Sequence, residues 1–247
     1  MIKELLPAAV AAAEAFGDPA EPPALFPAEA AYVAHSVPAR QAEFRTVRAC
    51  AREALGRLGL GPAPILPGTR GAPRWPASVV GSMTHCAGYR AAAVAFADDV
   101  VTIGVDAEPD LPLPDADVLE AVTLTEERVM LARLAARRPD VSWDRLLFSA
   151  KESVYKAWYP LAERPLGFEE ARITVDPDTG TFRARLLVPG PVVAGTRLAG
   201  FHGGWLAREG LVVTAIAVTR DALTCAAPTG DATTSGAPRE TACPPPP

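Results

Sequence analysis

Lysine is scarce in this chain: of 24 basic residues only Lys3, Lys151 and Lys156 are lysine. Two of the three share the stretch FSAKESVYKAWYP, with Glu152 between them. Upstream, GVDAE carries Asp106 and Glu108 at i, i+2. On a strand these two side chains point to one face. Paired carboxylates repel unless water solvates them or a cation sits between them. The bland reading is a wetted strand edge; the sharper one is a site for a hard divalent ion. On a helix, Arg145, Ser149, Glu152 and Lys156 form a polar stripe opposite Val154 and Trp158. A capping box Ser149-x-x-Glu152 would explain two of them. The apolar pattern running unbroken from Trp143 instead places Ser149 mid-helix. An exposed Glu152/Lys156 pair contributes only ~0.2–0.5 kcal/mol. It accounts for the charges and not for the choice of lysine.

A second group of polar residues lies earlier. GSMTHC supplies Ser82, Thr84 and His85, one of three histidines with His35 and His202. The loop Gly68-Thr69-Arg70-Gly71 combines glycine, which lets a backbone approach closely, with a guanidinium that binds phosphate in a fork. Arg48, Arg52, Arg70 and Arg90 are the candidate phosphate ligands. Mg²⁺ is typically held by a few carboxylates together with substrate phosphates. Carboxylates, hydroxyls and basic groups in this combination point to chemistry at a pyrophosphate.

These residues need elements to position them. Residues 1–16 read as a short helix, followed by a proline-rich irregular stretch. PARQAEFRTVRACAREALGRLG reads as a helix, with Phe44, Val47, Ala51, Ala54 and Leu58 on its apolar stripe and glycines ending it. VVGSMTH and RAAAVAFA are strands joined by the turn CAGY, and VVTIGVDAE is a strand closed by Pro109. An exposed connector leads into a short helix. TEERVMLARLAARR is helical with Thr125 as N-cap. SWDRLLFSAKESVYKAWYP is the strongest helix, with Ser142 as N-cap and Pro160 as its stop. ARITVD, TFRARLLV, GGWLAREG and LVVTAIAVT are strands. Helix followed by antiparallel strands, twice, predicts an α+β fold of two similar subdomains with a site at their junction. The expected divisions are 1–109, 110–225 and a disordered tail, 226–247.

Composition bounds the partners. The chain has 247 residues, 49% hydrophobic and 21% charged, so a packed core is expected. A net charge of -5 speaks against nucleic-acid binding. The four cysteines, Cys50, Cys86, Cys225 and Cys243, have no metal or redox spacing. The alanine-rich start, interrupted by Glu4 and Glu14, reads as a surface helix and not as a leader. No stretch approaches the ~18 apolar residues of a membrane span. A cytoplasmic setting is expected.

VDAE followed by FSAKESVYKAW resembles the signature of the 4′-phosphopantetheinyl transferases, in the larger, monomeric, two-subdomain type that serves siderophore, nonribosomal-peptide and polyketide pathways. The pattern is (I/V)-(G/D)-(I/V)-D-x-E, then (F/W)-(S/T)-x-K-E-(S/A)-x-x-K, and every fixed position is met. RQAEFRTVRACAREAL, PGTRGAPRWP and GSMTHC are similar to further blocks of the family. Val47 departs from it, since many relatives have glycine before the helix arginine. The resemblance implies transfer of the phosphopantetheine arm of coenzyme A to a serine of an apo acyl or peptidyl carrier protein, with adenosine 3′,5′-bisphosphate as second product. It implies Mg²⁺ on Asp106, Glu108 and Glu152, and Lys151 and Lys156 close to the phosphates and the attacking serine. Arg48, Arg70, Gly71, Ser82, Thr84 and His85 correspond to the nucleotide and phosphate site, and Glu152 to the base. A basic patch at Arg128, Arg133 and Arg137 would suit an acidic carrier. The alternatives from other classes are a noncatalytic module that binds coenzyme A or a carrier, and a magnesium-dependent phosphohydrolase.

Overall fold

The computed structural model describes residues 1–226; of the tail expected over 226–247, Ala226 ends a short helix and the rest lies outside the described residues. In chain order the elements are β1 (Ala11–Phe16), α1 (Pro27–Val33), α2 (Pro38–Arg57), β2 (Val79–Cys86), β3 (Tyr89–Phe96), β4 (Val100–Pro109), α3 (Ala116–Val122), α4 (Thr125–Arg137), α5 (Trp143–Ala162), β5 (Ala171–Asp176), β6 (Thr181–Leu186), β7 (Val192–Val193), β8 (Thr196–Arg197), β9 (Gly200–Arg208), β10 (Leu211–Thr219) and α6 (Arg220–Ala226). The fold is α+β. A three-stranded antiparallel sheet, β1-β3-β2, carries α2, and a five-stranded antiparallel sheet, β4-β10-β9-β6-β5, carries α5. No helix among the described residues is long and apolar enough to cross a membrane.

Sheet membership divides the chain earlier than the expected residue 109. β4 pairs along its length with β10, opposing Asp106 to Thr214, so it belongs to the second sheet. β2 reaches β4 through side chains. Val105 N–H donates to Ser82 Oγ at 3.1 Å and Ala107 N–H to Thr84 Oγ1 at 3.1 Å. Two hydroxyls thus satisfy the strand amides that a backbone ladder would otherwise take.

The predicted N-terminal helix is instead a 3-10 turn, Ile2–Leu5, and the strand β1. Alanine favours helix locally, but here β1 pairs with β3 at the edge of the sheet and α2 packs across both strands. Glu14 of β1 accepts Ile2 N–H at 3.0 Å and the Tyr89 hydroxyl, which holds the strand in place. Part of the proline-rich stretch is helical as α1. Thr125 is the first helical residue of α4 and not its cap; Glu127 caps by accepting Leu124 N–H at 2.7 Å. Ser142 occupies the N-cap of α5 without a side-chain cap bond, and the helix continues through Pro160 to Ala162. Proline removes one amide donor in the last turn, and the helix ends two residues later, at Ala162, with Glu163 as its cap in the left-handed region.

Helix α5 buries Trp143, Leu146, Leu147, Ala150, Val154, Ala157 and Trp158 against the five-stranded sheet, as its periodicity predicts. Its approach to β4 is close. A Cβ on Gly104 would stand 2.0 Å from Ser153 O and 2.8 Å from Ala157 N, so only glycine fits. Thr102 adds a direct tie, donating to Ala157 O at 2.8 Å. The strand with the acidic pair and the helix with the lysines are therefore packed backbone to backbone.

Candidate active site

A cavity of about 810 Å³ lies between α2, the 67–75 loop, β2 and α5. Thr102 and Ile103 of β4 and Glu152 and Lys156 of α5 line one side of it, and Lys156 reaches from there to Asp106 of the acidic pair. Lys156 Nζ donates to Asp106 Oδ1 at 2.7 Å and to Val105 O at 3.0 Å. An ammonium has three donors, so one remains for an acceptor in the cavity. Asp106 is buried, and its Oδ1 also accepts from Thr84 Oγ1 at 3.2 Å. Its Oδ2 is buried with no hydrogen-bond partner. A buried carboxylate oxygen without a donor is costly unless something else supplies positive charge.

Glu108 sits on the same face of β4 and pairs with Arg145 Nη1 at 3.2 Å. Burial, then the neighbouring Asp106, raises its pKa, and Arg145 opposes the rise. Glu152 faces the cavity and makes no hydrogen bond or ion pair among the described residues. Burial raises its pKa, Lys156 pulls it back and Asp106 adds to the rise. The polar stripe of α5 thus faces β4, β10 and the cavity. Arg145 also donates to Leu111 O and Pro112 O at 3.0 Å each, fixing the chain as it leaves the strand.

The residues present fit a hard divalent cation. The donors are carboxylate oxygens, Asp106 Oδ2 is unpartnered, and Glu152 lines the cavity. Among the described residues no three acidic, histidine or cysteine side chains form a ready-made cage. That suits Mg²⁺, which keeps waters and takes substrate phosphate oxygens.

The opposite wall is basic. Arg48 is held by its Nε–H to Ile65 O at 2.9 Å and by its guanidinium 3.2 Å over the Phe44 ring. Ile65 is fixed in turn by its N–H to Glu29 Oε1 at 2.9 Å. Burial pushes the Arg48 pKa down to about 10, which leaves it charged at neutral pH. Arg70 is exposed on the cavity loop, with φ 54, and Gly71 follows with φ 79. His85 stands at the rim against Arg40 Nη1, with Glu43 Oε2 at 3.5 Å. Burial and then Arg40 lower its pKa, which favours the neutral imidazole.

Asp106, Glu108, Glu152, Lys156, Arg48, Arg70, Gly71 and His85 therefore gather at or beside one cavity. Others do not. Lys151 is buried, donating to Phe168 O at 2.7 Å and pairing with Glu127 at 2.8 Å. Burial lowers its pKa, and Glu127 works against that. Ser82 lines the cavity but spends its hydroxyl on the β2–β4 seam, as does Thr84. Arg52 is engaged by Glu29 and Ala24 O, and Arg90 by Asp18. Arg40, Tyr155 and Tyr159 line the cavity and were not singled out from the sequence. Arg40, Phe44 and Arg48 recur every fourth residue along α2, a spacing that marks them as one face.

Comparison with known proteins matches the two halves of this arrangement. Residues 28–95 match the 4′-phosphopantetheinyl transferase N-terminal domain, and residues 102–197 the 4′-phosphopantetheinyl transferase superfamily. The chain is 65% identical to the 4′-phosphopantetheinyl transferase Svp of Streptomyces mobaraensis, over 90% of this chain and 91% of that protein. It is 47% identical to the 4′-phosphopantetheinyl transferase PptT of Mycobacterium tuberculosis, over 87% and 97%. With enterobactin synthase component D of Salmonella typhi it shares 34% identity over 55% of each chain.

Proposed function

The chain belongs to the 4′-phosphopantetheinyl transferases of the larger type, and from that premise we propose that it transfers the phosphopantetheine arm of coenzyme A to a carrier-protein serine in a Mg²⁺-dependent reaction. The observation that carries this reading is the open ion pair beside the cavity, which Lys156 lines. Lys156 holds one oxygen of Asp106 while the other is buried without a partner. A site so built is incomplete without a cation and an anion to match it.

Each residue then has a defined task. Arg48 and Arg70 meet the phosphate groups of the nucleotide, and His85 donates to one of them. The third donor of Lys156 reaches a pyrophosphate oxygen. Asp106, Glu108 and Glu152 are the groups that would hold Mg²⁺. When bound, the ion offsets charge on the pyrophosphate oxygens. The serine oxygen forms a bond to the β-phosphorus as the bond from that phosphorus to the bridging oxygen breaks. Adenosine 3′,5′-bisphosphate carries away the electron pair. Glu152, whose proton affinity burial has raised, takes the serine proton directly or through one water. Lys156 and the basic wall stabilise charge as it moves to the leaving oxygen. The natural carrier is proposed to belong to a siderophore, nonribosomal-peptide or polyketide assembly, and the enzyme to act as a cytoplasmic monomer.

The test is to incubate the protein with coenzyme A, Mg²⁺ and an apo carrier domain and to weigh the carrier. A gain of about 340 Da, the phosphopantetheine mass, is expected as a covalent modification. An unmodified carrier with intact coenzyme A would support the noncatalytic alternative, and cleaved coenzyme A with no mass gain would support hydrolysis.

A further inference from the structure

Ser149 belongs to the polar stripe of α5, yet it takes no part in the cavity. It is fully buried, as are Ser153 and Thr214. The three hydroxyls form a closed cluster between α5 and β10. Ser149 Oγ lies 2.9 Å and Ser153 Oγ 2.7 Å from Thr214 Oγ1. Thr214 Oγ1 donates to Ser149 O at 2.9 Å, and Ser153 Oγ is 3.2 Å from Thr214 O. One assignment satisfies every hydrogen. Thr214 donates to the Ser149 carbonyl, and both serines donate into the two lone pairs of the threonine oxygen.

The place of this cluster matters. Thr214 is the ladder partner of Asp106, so the two side chains stand side by side on the sheet face beneath α5. Along the helix, Ser149, Ser153 and Lys156 follow i, i+4, i+7. The helix thus meets adjacent strands through several directional contacts. On β4 these are Lys156 on Asp106, Arg145 on Glu108 and the Thr102 hydroxyl on Ala157 O; on β10 it is the hydroxyl cluster on Thr214. The apolar part of the α5 interface is Trp158, Val154, Leu146 and similar groups. Apolar burial is non-directional and fixes rotation and axial position less tightly than hydrogen bonds do.

We propose that Thr214, with Ser149 and Ser153, is a positioning clamp that sets the register of α5 on β10 and β4, and so places Glu152 and Lys156 over Asp106. None of the three touches substrate. The inference rests on the proposed Mg²⁺-dependent transfer, and it predicts an effect on geometry in excess of any effect on stability. Thr214→Val combined with Ser149→Ala and Ser153→Ala removes all three hydroxyls together, leaving no orphaned partner and nearly the same shape.

The measurements are steady-state transfer to a carrier domain, Mn²⁺ binding without substrates by electron paramagnetic resonance, and thermal melting. In the triple variant kcat should fall about tenfold or more, the scale on which displaced reacting groups act. Mn²⁺ binding should weaken while the melting temperature stays near wild type. Thr214→Ser, which keeps the hydroxyl, should retain wild-type kcat and Mn²⁺ affinity. Wild-type kcat and Mn²⁺ affinity in the triple variant would overturn the clamp, and so would a loss in Thr214→Ser equal to that of Thr214→Val. If the triple variant does not fold, Ser149→Ala, which leaves Ser153 on Thr214, is read by the same criteria. If wild type itself transfers nothing, the functional reading fails, and Mn²⁺ binding alone then decides the clamp.

Discussion

Helix α5 carries two lysine–carboxylate pairs, and they are built differently. Lys151 pairs with Glu127 of α4, and both side chains are almost wholly buried, at 2% and 1% exposure. Glu127 also accepts Leu124 N–H at 2.7 Å and Ile173 N–H at 2.6 Å. Both of its oxygens are used, and the pair ties α4, α5 and the edge strand β5 together. Lys156 and Asp106 are the other pair, with the lysine 27% exposed and one aspartate oxygen unpartnered. A closed pair leaves no valence for a ligand and acts as architecture. An open pair at a cavity is stable only as part of something larger. The same residue types, five positions apart, thus serve structure in one place and the candidate chemistry in the other.

The largest expected effect is on the open pair. Asp106→Asn should lower kcat about 100-fold, the scale for loss of one preorganised electrostatic contact in an active site. The melting temperature should change little, because Lys156 keeps Val105 O and access to water. Transfer assays beside calorimetry test this; wild-type turnover would mean that the unpartnered oxygen has no role.

For the closed pair the balance should reverse. Lys151→Met leaves the Glu127 carboxylate buried without its cation, a loss of about 3–5 kcal/mol when one member of a buried pair is removed. Chemical denaturation should show that loss, while the kcat of the folded fraction stays close to wild type. A collapse of kcat with unchanged stability would place Lys151 in the chemistry and erase the distinction.

A smaller effect is expected on the basic wall. Arg70→Ala and His85→Ala should each raise the coenzyme A KM about tenfold, since a hydrogen bond to a charged group contributes ~1.5–3 kcal/mol. Carrier KM should not move. Calorimetric titration showing wild-type coenzyme A affinity in both variants would remove them from the site.

Much of this was legible in the sequence because it rests on local periodicity. The strand with Asp106 and Glu108, and the apolar face of α5, follow from spacing alone. The separation of the lysines was also encoded. At 3.6 residues per turn, Lys151 and Lys156 lie about 140° apart around a helix, whereas Glu152 and Lys156 lie about 40° apart. What spacing could not supply was the identity of partners from distant segments. Glu127 looks like an ordinary first-turn acid of α4 until β5 is laid beside it. Ser82 and Thr84 look like phosphate ligands until β4 takes their hydroxyls. β1 reads as helix because its partner β3 lies far along the chain. That β4 pairs with β10 was hidden for the same reason, since its partner comes from the other end of the chain.

On the proposed function, Lys156 sits in an open site that needs a compact cation with a free donor. Arginine stays charged but is broader and presents a planar fork. Steady-state transfer by Lys156→Arg, measured beside its melting curve, tests this most directly. A fall in kcat of about tenfold or more with an unchanged melting temperature is the predicted result, in keeping with a contact made to the reacting groups. Wild-type kcat would show that any positive charge suffices at this position, and would contradict the account.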